Sequence, residues 1–175
     1  QPLDQHLFAH WLPQGQHEVH LIGASIGAWR MATALMDDPR HAFELFAHGY
    51  ISQHYEPEPG KRMRSPQRVS EGFGQALDGL FGPHIQTLLT HPRYRLHVLT
   101  SRGRQILRRP GKVQTAVGMG GLALGNVLSR RSVGMFLERT VFSSHGAKPP
   151  MPLLDQPTRF VDLTAANFKP AIQAS

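Results

Sequence analysis

Apolar positions along the chain follow two periods, and the switches between them mark the elements. "HEVHLIG" (17–23) is a short apolar run closed by glycine and predicts a strand. "SIGAWRMATALMDD" (25–38) then carries helical spacing until Pro39 stops it. A second helical pattern runs through "PRHAFELFAHGYISQHY" (39–55), and "EPEPGKRMRSPQR" (56–68) collects prolines and charges into an exposed basic loop. "VSEGFGQALDGLFGPHIQTLLTHP" (69–92) reads as broken helix, and "YRLHVLTSR" (94–102) alternates as a strand does. Residues 103–112 form a second basic loop, 113–142 look helical in two pieces, and the proline loop "GAKPPMPLLDQP" precedes a last strand at 158–164. Strands separated by helical segments predict one α/β domain over 1–175, a layered fold with a largely parallel sheet flanked by helices.

Composition narrows the chemistry. With 175 residues, 40% of them hydrophobic, the chain can bury one real core. It has no cysteine, which removes disulfides, thiolate metal sites and cysteine nucleophiles together. None of the eleven histidines falls in an H-E-x-x-H motif, so neither a metal nor another cofactor is expected. The N-terminal "QPLDQHLFAHWLPQG" lacks the apolar stretch of a signal peptide, and "VQTAVGMGGLALGNVL" (113–128) falls short of the roughly 20 residues a membrane span needs. The expectation is a soluble protein, cytoplasmic or peripheral to a membrane.

The net charge of +7 is concentrated. Lys61, Arg62, Arg64 and Arg68 share one loop, Arg102, Arg104, Arg108, Arg109 and Lys112 another, and Arg130 and Arg131 sit in a predicted helix. A solvated basic face explains these runs most simply. As a binding surface they would make the chain a non-enzymatic module for nucleic acid or anionic surfaces. Aromatics are not interleaved with the arginines as a single-strand stacking platform requires, so nucleic acid is disfavoured and peripheral contact with an anionic membrane fits better. "GMGGLALGN" (118–126) matches no phosphate-loop spacing. Its glycines suit close helix packing, with Leu122, Leu124, Val127, Leu128, Met135 and Phe136 as apolar surface for the core. Alternatively the segment is interfacial, with Arg130, Arg131 and Arg139 at headgroups.

The sharpest chemical signal is Gly23-Ala24-Ser25-Ile26-Gly27, which fits G-x-S-x-G between a predicted strand and a predicted helix. There the serine sits on a strained turn, the glycines let backbone approach backbone, and the first N–H groups of the helix can hold an acyl oxyanion. Small residues also suit any strand-to-helix turn. Trp29 either packs under the sheet or lines an acyl pocket.

"HLIGASIGAWRMATAL" resembles the nucleophile elbow of patatin-like phospholipases, and the closing "FKPAIQAS" is similar to the segment leading to that family's second catalytic element, an aspartate in D-G-G or D-G-A. The resemblance implies a serine–aspartate dyad enzyme hydrolysing acyl esters of lipids or small esters, with Ser25 as nucleophile and no histidine or metal. Upstream of the elbow only Gly15 stands where the family has a glycine-rich oxyanion loop, and Asp78-Gly79 precedes the last predicted strand rather than following it. The expectation is therefore an internal part of a longer protein, with the dyad aspartate beyond Ser175, and the 175 residues alone inactive on a soluble ester. The alternative enzyme is an α/β-hydrolase with a Ser–Asp–His triad, for which Asp78 with His145 or His97 is the order-compatible choice.

Overall fold

The structure, a computed structural model, describes residues 2–52, 66–104, 134 and 137–175. A four-stranded sheet in the order β1-β2-β3-β4 forms from β1 (Val19–Gly23), β2 (Tyr94–Gly103), β3 (Leu137–Ser143) and β4 (Thr158–Asp162). β1 pairs parallel with β2 and β3 parallel with β4, whereas β2 and β3 are antiparallel. The class is α/β, and the sheet is mixed. α1 (Pro2–His6) continues into a π turn and a 3₁₀ turn. α2 (Ile26–Thr33), α3 (Pro39–Ile51), α4 (Pro66–Phe81), α5 (Ile85–Leu89) and α6 (Ala165–Ala174) complete the described helices.

Three of the four strands fall where alternation places them. The exception is β3, whose residues read as helix: Leu137, Thr140 and Val141 satisfy i, i+3, i+4 spacing as well as they satisfy a strand. Pairing decides the matter. Leu137 lies opposite Gly103 and Ser143 opposite His97, so β3 fills the place between β2 and β4, and its Thr-Val-Phe run suits a pleated surface. α2 is also shorter than its pattern, ending at Thr33 instead of reaching Asp38. Asp38 is the N-cap of α3, its carboxylate accepting from the His41 N–H at 3.1 Å, and Pro39 takes the first helical turn, so the chain must leave α2 earlier. The proposed 56–68 loop gives up its end, since Pro66, Gln67 and Arg68 open α4. Gly103, read as the first loop residue, closes β2. The cations Lys61, Arg62, Arg64, Arg108, Arg109, Lys112, Arg130 and Arg131, the glycine-rich 113–128 segment, Met135 and Phe136 lie outside the described residues.

Alternation sends Leu21 of β1 and Tyr94, Leu96 and Val98 of β2 to one face, where they join Ala28, Ala32, Phe43, Leu77, Phe81, Phe168 and Ile172 of the helices in one core. Trp29 of α2 is its aromatic hub, with ring centroids 6.2 Å from Phe46, 6.1 Å from Phe73 and 6.0 Å from Phe81. Phe81 meets Phe168 of α6 edge-on at 5.7 Å. Lys169 Nζ to Asp78 Oδ2 (2.6 Å) and Gln173 Nε2 to the Ser70 carbonyl (3.2 Å) fix α6 along α4. No helix among the described residues is long and apolar enough to cross a membrane.

The other face of the sheet carries a polar chain that runs from the exposed Glu18 to the buried His97 and Ser143. Glu18 Oε1 lies 3.2 Å from His20 Nε2, His20 Nδ1 is 2.8 Å from His97 Nε2, and His97 Nδ1 is 2.8 Å from Ser143 Oγ. Since a carboxylate only accepts, a neutral chain has one direction: Ser143 O–H donates to His97, His97 N–H to His20, and His20 N–H to Glu18. His97 is fully buried, and desolvation together with the neighbouring His20 pushes its pKa down to about 4, against the opposing pull of Glu18. His91, whose Nδ1 accepts from the Arg93 and Tyr94 N–H groups, is lowered in the same direction, first by burial and then by Arg93 and Arg95.

These shifts have a definite sign. Between the ordinary histidine value of about 6.5 and the folded value near 4, the unfolded chain binds a proton that folded His97 refuses. Its contribution to stability is whole above that window and is lost as pH falls through it, at up to about 1.4 kcal/mol per pH unit. Urea unfolding at a series of pH values should show stability declining below pH 6.5, with His97→Gln reducing the slope and His91 accounting for part of the remainder. An unchanged slope in His97→Gln contradicts this account.

Candidate functional site

β1 delivers its last residue, Gly23, directly against the start of α2. A side chain there has no room: a Cβ on Gly23 would stand 2.5 Å from the carbonyl carbon and oxygen of Gly27 and 2.6 Å from the Ala28 nitrogen. Such contact between strand end and helix start forces the chain to reverse within Ala24 and Ser25. Ser25 takes up the reversal at φ 53°, ψ −134°, and it is the only non-glycine residue with positive φ among those described. L-residues avoid this geometry at a cost of order 1–3 kcal/mol. The turn is closed by Gly27 N–H to the Ala24 carbonyl and Ala28 N–H to the Ser25 carbonyl, both at 2.9 Å. Gly27 itself has open space where a Cβ would go, so of the two motif glycines only the first is required by contact.

Ser25 occupies the N-cap position of α2, yet its hydroxyl makes no capping bond and the residue is exposed. A serine at that position ordinarily turns its oxygen back onto the helix N–H groups. Here the backbone holds it elsewhere. Ala24 and Ile26 are exposed beside it, so the motif stands out of the sheet as the sequence predicts.

Ser25 borders a cavity of about 280 Å³ with Ile26, Trp29, Tyr50, Ser70 and Phe73, which the last turn of α6 closes through Ile172, Gln173 and Ser175. A second cavity of about 250 Å³ shares Ile26, Trp29, Tyr50 and Phe73 with the first and continues between α2, α3 and α4. Apart from the Tyr50 hydroxyl and the Trp29 indole N–H, the described side chains lining it are apolar. Trp29 thus does both things left open by the sequence. It packs in the aromatic core and lines the space next to Ser25.

The other sequence candidates lie elsewhere. Both ring nitrogens of His97 are engaged, by His20 and Ser143, on the sheet face away from the helices. His145 is exposed and pairs with Asp162 at 3.3 Å. It follows β3, which runs antiparallel to β2 and hence opposite to β1, so the chain beyond Ser143 moves away from the end where Ser25 stands. Asp162 is level with Ile22 but three strands away, roughly 14 Å at ordinary strand spacing. Asp78 is tied to Lys169, and Asp155 receives both guanidinium nitrogens of Arg139 at 2.8 Å. Among the described residues, neither a carboxylate nor an imidazole lines the Ser25 cavity. Among the described residues no group of three or more histidine, aspartate or glutamate side chains is placed to hold a metal ion. What sequence reasoning missed is the contribution of α3 and α6: Tyr50 and Gln173 carry no motif and reach the site only through helix packing.

Close approach and strain make separable predictions. Gly23→Ala should lose about 2–3 kcal/mol in urea unfolding, because backbone must move, while Gly27→Ala should lose little. Ser25→Gly should gain about 1 kcal/mol by removing the penalty on positive φ. A Gly23→Ala protein as stable as its parent, or a destabilised Ser25→Gly, contradicts the strained-turn description.

No family model, curated protein or solved structure matches this chain. Any functional reading therefore rests on the site's own geometry.

Proposed function

We propose that the chain carries the nucleophile of a serine acyl-ester hydrolase, with Ser25 as the attacking residue and a lipid or small ester as substrate. One observation carries the reading: an exposed serine, alone among the described non-glycine residues in a positive-φ conformation, at a strand-to-helix turn that opens on a cavity of mixed lining adjoining an apolar one. Strain at a single polar residue beside a cavity is what a nucleophile elbow requires and what an ordinary connection has no use for.

In this reaction Ser25 Oγ attacks the ester carbonyl and the alcohol leaves, so that an acyl-serine forms and water later releases the acid. The Ile26 N–H, first in α2, is the donor assigned to the carbonyl oxygen as it becomes an oxyanion, since the Gly27 and Ala28 N–H groups are engaged in the turn. Trp29, Tyr50 and Phe73 border the space that takes the acyl chain. The hydroxyl also needs a base. The described lining supplies none, so the base assigned here is a carboxylate brought to the cavity from elsewhere, as the resemblance to patatin-like phospholipases implies. Ser175 borders the same cavity.

Where that carboxylate is present, an alkyl fluorophosphonate should label the protein at Ser25, with labelling abolished in Ser25→Ala and retained in His97→Gln and His145→Ala. Equal labelling of Ser25→Ala would sink the proposal. Loss of labelling in His145→Ala with an unchanged circular dichroism spectrum would favour a histidine-dependent triad instead. In the nucleophile's absence, ester turnover should fall by a factor on the order of 10³ or more.

A further inference from the structure

We infer that Gly49 and Gly79 set the length of aliphatic chain that the cavity beside Ser25 accepts. The inference rests on the reading of Ser25 as the acylated residue, and it adds the feature that would discriminate among acyl substrates.

The cavity of about 250 Å³ is a wedge between three helices. α2 contributes Ile26 and Trp29, α3 contributes Leu45, Phe46, Gly49 and Tyr50, and α4 contributes Phe73, Ala76, Gly79 and Leu80. Its walls on α3 and α4 follow helical spacing, so each lines the space with one face. For comparison, an apolar protein cavity of roughly 150 Å³ already takes up benzene. The space therefore suits an alkyl chain, and the shared Ile26, Trp29, Tyr50 and Phe73 make it continuous with the cavity that Ser25 borders.

Both glycines stand inside helices, where glycine costs roughly 1 kcal/mol relative to alanine. Neither is required by packing. Among the described residues, a Cβ at Gly49 or at Gly79 meets no heavy atom within 4 Å, in contrast to Gly74 on the same helix α4, where the Gln173 side chain is 3.0 Å away. Both glycines are exposed, so a side chain at either would project from the rim of the cavity. The absence of those two side chains is part of what makes the cavity as large as it is.

Their depths differ. On α4, Phe73 borders both cavities, and Gly79 lies six residues further from it, about 9 Å along the helix axis. On α3, Gly49 is adjacent to Tyr50, which also borders both. Gly79 is thus at the far end of the wedge and Gly49 nearer Ser25. A bulky side chain at 79 should block only the last carbons of a long chain, and one at 49 should block shorter chains as well.

The test uses the 175-residue chain carrying Ser25→Ala and saturated fatty acids from butanoate to tetradecanoate as probes, read by displacement of a fluorescent fatty-acid analogue. Affinity should rise about fourfold per added methylene up to a limiting length and then level off. Gly79→Leu should shorten that limit while leaving the shortest acids unaffected, Gly49→Leu should shorten it further, and the two alanine variants should give smaller shifts in the same order. Urea unfolding of each variant checks the fold, which the gain in helix propensity should preserve. Failure of the unsubstituted chain to bind any of the acids, or an unchanged limit in both leucine variants, overturns the inference. Fluorophosphonate labelling of the variants with Ser25 restored, in protein that supplies the assigned carboxylate, is a separate arm. A shifted length limit without labelling leaves the gauge standing and removes the nucleophile, whereas labelling with an unshifted limit does the reverse.

Discussion

No side chain can stand at position 23. The end of β1 and the first turn of α2 meet backbone to backbone there, with the Gly27 carbonyl and the Ala28 nitrogen occupying the space a Cβ would need. From that contact follows the reversal over two residues, and from the reversal the positive φ at Ser25. It also sets α2 close against β1 and β2, so that Ala28 and Ala32 are wholly buried and Trp29 can reach the aromatic rings of α3 and α4. The cavities beside Ser25 are gaps in that packing. Strain in the turn is held by the core beyond it, where Phe43, Phe81 and Phe168 each retain almost no exposure.

Legibility from sequence followed the range of the interactions. The turn at 23–27 was readable because its requirements are local: a strand ending in glycine, a small residue, a serine, and a helix start within five positions. β3 was not, because its identity is decided by β2 and β4 on either side, and its residues fit a helix nearly as well until the partners are known. The end of α2 failed for a different reason. Pro39 reads as the stop of one helix, whereas with Asp38 as N-cap it starts the next. The site's wall on α6 was beyond reach, since Gln173 is brought there by bonds to α4 across about a hundred residues of chain.

Trp29 shows why core and site cannot be separated here. One face of its indole belongs to the cluster with Phe46, Phe73 and Phe81, and another borders both cavities. A substitution that altered its packing would change the shape of the space beside Ser25 together with stability. Glycines 49 and 79 are the opposite case, lining the same space without contributing a side chain to the core.

Ser25 and Ser143 make the final contrast. Ser143 has the partners a nucleophile is usually recognised by: an imidazole at 2.8 Å, a second imidazole behind it, and a carboxylate at the end of the chain. Yet Ser143 is almost wholly buried and borders neither of the cavities beside α2, and its backbone is ordinary strand. The relay there satisfies polar groups that burial would otherwise leave unpaired, which is reason enough for it to exist. Ser25 has neither imidazole nor carboxylate beside it among the described residues, but it has the strained turn, the exposed hydroxyl and the adjoining apolar space. A reacting carbonyl can reach only the second of these. Catalysis is recognised by where a substrate can sit and how charge would be met there, and hydrogen-bond partners alone do not make a site.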